Sequence, residues 1–297
     1  MTDQASMDTE EVGRVASWRL LVGNPVTLAS AVVLAVVLVV AVSAQWLAPY
    51  GINDVDVPSA LQNPSGAHWF GTDELGRDVL SRVLVAIQAS MRVAMVSVAF
   101  AVVVGVAIGI IAGYRGGWVD TVFMRVIDVM FAFPVLLLAL AIVAILGPGV
   151  TTTMLAIGVV YTPIFARVAR ASTLSVRTEP YVAVSHTMGT GHAYILIRHI
   201  LPNITGPLIV QTSLSLAFAI LSEAALSLLG LGIQPPQPSL GRMIFDSQGF
   251  VTLAWWMAVF PGAAIFVNVL AFNLFGDGLR NVLDPKQRTM LEARRQR

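Results

Sequence analysis

Residues 177–204 read RTEPYVAVSHTMGTGHAYILIRHILPNI and form the longest polar interruption in an otherwise strongly apolar region. Apolar runs long enough to cross a bilayer lie on both sides of this segment. Four arginines lie in or close to it, at positions 167, 170, 177 and 198. Arginine and lysine concentrate in short cytoplasmic loops of membrane proteins. The sequence therefore predicts a cytoplasmic loop between two membrane spans.

This loop has the pattern of a short helix. Three apolar residues recur at a spacing that would place them on one helical face: Tyr181, Val184 and Met188. Thr178 is predicted to cap the helix, and Gly189 and Gly191 can end it. A second helical stretch, 192–201, runs into Pro202, where we expect a kink before the chain re-enters the membrane. Periodicity alone leaves two interpretations open, an ordinary interfacial helix and a docking element for a cytoplasmic partner.

The composition of the chain is that of a membrane protein. Of its 297 residues, 56% are hydrophobic and only 12% are charged, whereas soluble domains carry about 25% charged residues. The chain has no cysteine, which excludes a disulfide framework, a thiolate metal site and a cysteine nucleophile. We therefore expect an all-α polytopic membrane protein.

Apolar segments predict six transmembrane helices with both termini in the cytoplasm, at residues 25–48, 91–111, 126–146, 150–168, 206–231 and 257–275. This topology places 14 of the 18 lysines and arginines on the inner side, as expected for cytoplasmic loops. It divides the chain into a cytoplasmic tail, a first span, an extracytoplasmic segment, a five-helix core containing the 177–204 loop, and a second cytoplasmic tail: 1–24, 25–48, 49–87, 88–277 and 278–297.

The extracytoplasmic segment 49–87 is predicted to carry an amphipathic helix. Its apolar residues keep helical spacing, at positions 75, 79, 80 and 83, and Thr72 or Asp73 could cap it. The preceding small residues 41–44 are similar to a signal-peptide cleavage site. The apolar stretch before them is longer than that of a signal peptide and follows an acidic tail, so we expect a retained span.

Catalytic and nucleotide-binding patterns are missing from the sequence. No GxxxxGK[ST] or HExxH string occurs, and the only lysine is Lys286. The four histidines, at positions 68, 186, 192 and 199, do not have the spacing of a local metal site. We expect no enzyme activity, no bound cofactor and no metal in this chain, so any ATP dependence must come from another chain.

Two carboxylates, Asp128 and Glu223, lie in predicted spans, where an acid usually faces a cavity or a partner. Either could line a translocation path. For Glu223 we favour a structural role, because its neighbours are small packing residues. Asp128 could pair with Arg125, three residues earlier.

Several strings resemble ABC importer permeases of the dipeptide, oligopeptide and nickel family. They are FGTD and GRDVLSR after the first span, DVMFAFP in the third, EAALSLLGLG at the end of the fifth, and PSLG beyond it. The 177–204 loop is similar to the family's cytoplasmic docking loop, with Gly189, Leu201 and Pro202 on the pattern. It departs from that pattern at 183–185, which read Ala-Val-Ser in place of Glu-Ala-Ala, and at His199 in place of isoleucine.

The resemblance implies a type I ABC importer permease fold and a C-type subunit in the bacterial plasma membrane. It implies ATPase docking through Tyr181, Val182, Ala183, Val184, Ser185, Met188, Gly189, His199, Leu201 and Pro202. The implied partners are a B-type permease, two ATP-binding subunits, which bind the ATP and Mg²⁺, an extracytoplasmic substrate-binding protein and membrane lipids; no nucleic acid is expected. The implied substrates are di- and oligopeptides or, alternatively, nickel chelates, glutathione or haem. A secondary carrier independent of ATP is the alternative of another class, although no internal repeat is evident.

Overall fold

The computed structural model describes residues 25–283, so the predicted tail 1–24 and the part of 278–297 beyond residue 283 lie outside the described residues. Within that range the chain is helical apart from its connecting loops. We number the helices α1 (Pro25–Leu47), α2 (Val79–Arg115), α3 (Gly117–Phe131), α4 (Val135–Leu146), α5 (Val150–Val176), α6 (Pro180–Thr187), α7 (His192–Leu228), α8 (Leu240–Ser247) and α9 (Trp256–Leu283).

Five helices, α1, α2, α5, α7 and α9, are each long and apolar enough to cross a membrane. The pair α3 and α4 meets the same test as one broken unit, which raises the count to six. The predicted all-α polytopic fold is therefore confirmed. The long helices extend beyond several predicted spans, because hydropathy detects the apolar part of a helix and not its polar ends.

The third span, predicted for residues 126–146, is a broken helix. It is bent by 90° between α3 and α4. Pro134 is the N-cap residue of α4, and proline disfavours helical conformation in the residue before it. The helix therefore stops at Phe131 and restarts in a new direction.

The predicted outer amphipathic helix is wrong as a separate element, because its residues from Val79 onward form the first turns of α2. The cap of α2 is Asp78, whose carboxylate accepts a hydrogen bond of 2.8 Å from the Ser81 amide, and neither Thr72 nor Asp73 caps it. Asp73 instead organises the preceding loop and accepts a 2.9 Å bond from the Arg77 amide. With 37 residues, α2 is about 55 Å long and extends beyond a hydrocarbon core of about 30 Å.

Glycines bring α2 and α5 into close contact. A Cβ atom added at Gly105 would lie 2.5 Å from the Thr162 carbonyl oxygen and 2.7 Å from the Phe165 Cβ. Gly109, one turn further along α2, lies equally close to the backbone of α5. Small residues at this spacing allow two membrane helices to approach closely. The two glycines therefore serve packing within the chain and form the central contact of the bundle.

Candidate docking site

The short helix α6 lies in the loop that follows α5. Its N-cap residue is Glu179 and Pro180 occupies its first turn, so the prediction that Thr178 caps it is wrong. The Thr178 hydroxyl instead donates a 2.7 Å hydrogen bond to the Ser175 carbonyl, one turn back in the chain. Gly189 follows the helix with φ of +75°, a conformation that glycine adopts without steric cost. The predicted end of the helix at Gly189 is therefore confirmed.

The two faces of α6 differ in exposure. Val182 is only 2% exposed and anchors the helix to the bundle. The three residues of the predicted apolar stripe are exposed by 41% (Tyr181), 55% (Val184) and 79% (Met188). Ala183 is also exposed, whereas Ser185 is partly buried. The helix thus turns an apolar surface away from its own chain.

Side chains that are distant in sequence attach α6 to the rest of the bundle. The Tyr114 hydroxyl, near the end of α2, lies 3.0 Å from His186 Nε2 and 2.8 Å from His192 Nδ1. The Ser185 hydroxyl lies 3.4 Å from His199 Nε2. The sequence predicted no role for His186 or His192, and no local spacing rule connects them to Tyr114. The contact joins α2, α6 and α7 at one point.

Pro202 does not interrupt the helix that carries the chain back into the bundle. Helix α7 is continuous from His192 to Leu228, and the segment before the proline, Ile195–Ile200, is π-helical. Proline removes one backbone donor and crowds the carbonyl four residues earlier, and the wider turn leaves room for its ring. Leu201 and Pro202 are exposed and His199 is partly buried.

Two ion pairs join α3 to α5 above the docking loop. Arg170 forms hydrogen bonds of 2.5 and 2.6 Å with both carboxylate oxygens of Asp120. Arg167 lies 2.7 Å from Asp128 and stacks on Phe131, with its guanidinium carbon 3.8 Å from the ring centre. Asp128 therefore pairs with Arg167, and the predicted partner Arg125 is wrong. These contacts hold α3, on one side of the α3–α4 bend, against α5, the helix that precedes α6.

Glu223 lies at a different level of the bundle. Its side chain is fully buried and accepts hydrogen bonds of 2.6 Å from Ser90 on α2 and 2.8 Å from Ser227 on its own helix. The Ser227 hydroxyl also accepts a 3.2 Å bond from the Ile233 amide. The carboxyl group thus connects α2, α7 and the loop after α7. This placement supports the structural role, one of the two roles that the sequence left open.

Metal-ligating side chains do not converge at this site. Within residues 25–283, no three histidine, aspartate or glutamate side chains are placed to share a metal ion. The arrangement offers an anchored helix with an outward apolar face and a hydrogen-bonded contact to a long membrane helix.

Two family models match the chain. Residues 105–289 match the family described as "Binding-protein-dependent transport system inner membrane component". Residues 14–64 match the "N-terminal TM domain of oligopeptide transport permease C". The first match contains all of α3 to α8 and therefore the whole docking loop.

Similar curated proteins are permease subunits. The chain is 43% identical over 267 residues to the probable D,D-dipeptide transport system permease protein DdpC of Escherichia coli K12, covering 90% of each chain. It is 40% identical to the dipeptide transport system permease protein DppC of Alkalihalophilus pseudofirmus, covering 93% of this chain and 92% of the relative. It is 41% identical to the glutathione transport system permease protein GsiD of Pectobacterium atrosepticum, covering 91% and 90%.

A solved structure shares the fold. A chain of the MetNI methionine ABC transporter, in an inward-facing conformation, superposes with a TM-score of 0.57 at 18% identity. The match covers 68% of this chain and 96% of the MetNI chain. This match shows the fold, and the family models and curated relatives show that the chain belongs to the binding-protein-dependent transport system inner membrane components, the permease subunits of ABC importers.

Proposed function

We propose that this chain is one half of the translocation path of a bacterial importer that moves di- or oligopeptides into the cytoplasm. The relatives support this substrate class, because their names specify dipeptides, D,D-dipeptides and glutathione, all of which are short peptides. The chain would catalyse no bond chemistry itself. ATP would be hydrolysed by two partner subunits, and a B-type permease and an extracytoplasmic binding protein would complete the importer.

The observation that carries this proposal is the exposed apolar stripe of α6. It is held from behind by the buried Val182 and is exposed in the loop between α5 and α7. A groove of the ATPase subunit is the partner that fits this shape. Because Ala183 stands where the family pattern has glutamate, docking would depend on apolar contact and shape and not on a charged contact at that position.

Two contacts would transmit movement from the ATPase to the membrane. Val182 packs into the bundle, and the Tyr114 hydroxyl connects the docking helix to the end of α2. When ATP binding brings the ATPases together, the displaced α6 would pull on α2 and α7. Rigid-body motion of these helices would then exchange inward-facing and outward-facing states. The loop and both termini would lie in the cytoplasm.

The proposal is tested by a mild-detergent pull-down of the tagged chain from its native host, followed by mass spectrometry and transport assays in liposomes. Recovery of a second permease and ATPase subunits, with peptide-stimulated ATP hydrolysis, is the expected result. Recovery of the chain alone, with peptide transport that proceeds without ATP, would overturn the proposal in favour of a secondary carrier.

A matched pair of glycine variants tests the role of the loop. Gly189 and Gly230 both have positive φ, +75° and +79°, both face open space, and both follow a helix with the same pattern of backbone hydrogen bonds. Gly230 follows α7 at the opposite end of the bundle. Gly189→Asp should leave the protein in the membrane and abolish most peptide-stimulated ATP hydrolysis in the assembled complex, whereas Gly230→Asp should leave it intact. Full activity of Gly189→Asp would contradict docking at this loop.

A further inference from the structure

A cavity of about 770 Å³ opens beside the docking helix and is not explained by docking. Its walls are formed by the ends of α2 and α5, by α6 and by the first turns of α7. The lining residues are Ile111, Tyr114, Arg115, Arg177, Thr178, Val182, His186, His192 and Leu196. Cavities of 300–1,000 Å³ are typical of small-molecule sites. The volume is therefore sufficient for a ligand and not only for water.

The polar side of this cavity is basic. It carries the guanidinium groups of Arg115 and Arg177 and the imidazoles of His186 and His192, and none of the described residues that line it is acidic. Neighbouring arginines at positions 167 and 170 are neutralised by aspartates. Within residues 25–283, by contrast, neither Arg115 nor Arg177 forms an ion pair with a carboxylate; Arg177 donates a 2.7 Å bond to the Gly113 carbonyl. The walls of the cavity therefore carry a net positive charge, of which the Arg177 part is partly offset by the nearby Asp120 carboxylate.

The donors in the cavity are fixed in position. The Tyr114 hydroxyl contacts Nε2 of His186 and Nδ1 of His192 and has one proton, so it donates to one ring and accepts from the other. Both rings are thereby oriented, and in the neutral forms the ring that accepts from Tyr114 keeps its second nitrogen as an N–H donor. Arg177 is held by its bond to the Gly113 carbonyl and keeps further N–H groups. A ligand with several acceptor oxygens would therefore meet preorganised donors.

We propose that this cavity binds a phosphate group, either the headgroup of an anionic phospholipid or a soluble phosphate. Arginine recognises phosphate oxygens through paired N–H donors, and basic pockets between membrane helices on the cytoplasmic side bind anionic lipid headgroups. The apolar residues Ile111 and Leu196 supply a wall against which an acyl chain can lie. A metal cation is a poor occupant because two guanidinium groups would repel it.

Occupancy would have a structural consequence. The ligand would touch α2 through Arg115, α6 through His186 and α7 through His192, and would therefore strengthen the same junction that attaches the docking helix. The composition of the inner leaflet, or the level of cytoplasmic phosphate, would then influence how firmly α6 is held.

The test uses the purified full-length chain without ATPase subunits, so its result does not depend on the proposed docking. The chain is placed in phosphatidylcholine nanodiscs containing increasing amounts of phosphatidylglycerol, and retained lipid is counted by native mass spectrometry. A parallel series in pure phosphatidylcholine adds inorganic phosphate and follows the melting temperature. Selective retention of phosphatidylglycerol identifies a lipid site, and stabilisation by inorganic phosphate alone identifies a soluble ligand.

Matched variants decide whether the cavity is responsible. Arg115→Gln should weaken binding about fivefold, the effect of one basic side chain near anionic lipid, and Arg115→Lys should retain most of it. Arg125→Gln is the control, because Arg125 is also exposed and basic but does not line the cavity. The proposal is overturned if Arg115→Gln binds as well as wild type, or if Arg125→Gln loses as much binding as Arg115→Gln. It is also overturned if wild type responds to neither probe.

Discussion

The substitution Val184→Asp isolates the apolar stripe of α6 from the stability of the fold. Val184 is 55% exposed in the free chain, and burying a whole valine side chain is worth about 1.5–3 kcal/mol. Its exposed part therefore contributes about 1 kcal/mol to docking. A carboxylate at this position would add a desolvation penalty of about 1–3 kcal/mol. The total of about 2–4 kcal/mol corresponds to docking that is roughly 30- to 800-fold weaker.

The assay measures the affinity of ATPase subunits for the solubilised permease and the peptide-stimulated ATP hydrolysis of the reconstituted complex. Both should fall together, while the melting temperature of the permease alone changes little, because a substitution at an exposed site alters stability by about 0.5 kcal/mol or less. Val251→Asp is the matched control, since Val251 is 48% exposed and lies in the loop between α8 and α9 on the opposite side of the membrane. Equal affinities for the two variants would refute the reasoning.

Three further substitutions test the packing and charges of the bundle. Gly105→Ala should destabilise the fold by about 1–3 kcal/mol through overpacking against Thr162, whereas Gly206→Ala, which faces open space, should not; unfolding in SDS measures the difference. Glu223→Ala should cost about 2–5 kcal/mol in the same assay, because it leaves two buried serine hydroxyls without their partner; an unchanged unfolding curve would contradict the structural role. Burial and the nearby Asp73 carboxylate raise the pKa of Glu74, so its contribution to stability is present at acidic pH and lost as pH rises through that raised pKa. The melting temperature of wild type should therefore fall relative to Glu74→Gln between pH 4 and 8, and a constant difference would contradict this assignment.

Features that depend on neighbouring residues could be predicted from the sequence. Apolar runs located the membrane helices because a helix needs about 20 consecutive apolar residues to cross the hydrocarbon core. The spacing of Tyr181, Val184 and Met188 predicted one face of a short helix, and all three are exposed on α6. Gly189 was recognisable as a helix end because few other residues adopt positive φ.

Changes of helix direction could not be predicted reliably, because hydropathy reports the length of an apolar segment and not its path. Pro134 and Pro202 illustrate this. The first coincides with a 90° bend between α3 and α4, whereas the second lies within the continuous helix α7. The difference lies in the backbone before each proline: Phe133 leaves the helix, and Ile195–Ile200 widens to a π-helix. The presence of a proline therefore does not determine whether the helix breaks or continues.

Long-range pairs were equally inaccessible. Asp128 has Arg125 within helical reach along the chain, but its partner is Arg167, 39 residues away. The local rule failed because the close packing of α2, α3 and α5 brings a second guanidinium group to the same carboxylate. Aromatic stacking of Arg167 on Phe131 adds to the preference.

Helix α6 combines a feature that local sequence spacing predicts with a contact that only the folded structure reveals. Its outward face follows from local spacing and would be apolar in any fold that left α6 on the surface. Its attachment depends on Tyr114, which lies 72 residues before His186 and reaches it only because α2 extends beyond the membrane. If α6 docks an ATPase subunit as proposed, a permease that kept the apolar stripe but lost the Tyr114 hydroxyl would still bind that subunit. It would transmit the movement of α6 to α2 less effectively, so binding affinity and coupled transport report separately on the two halves of the site.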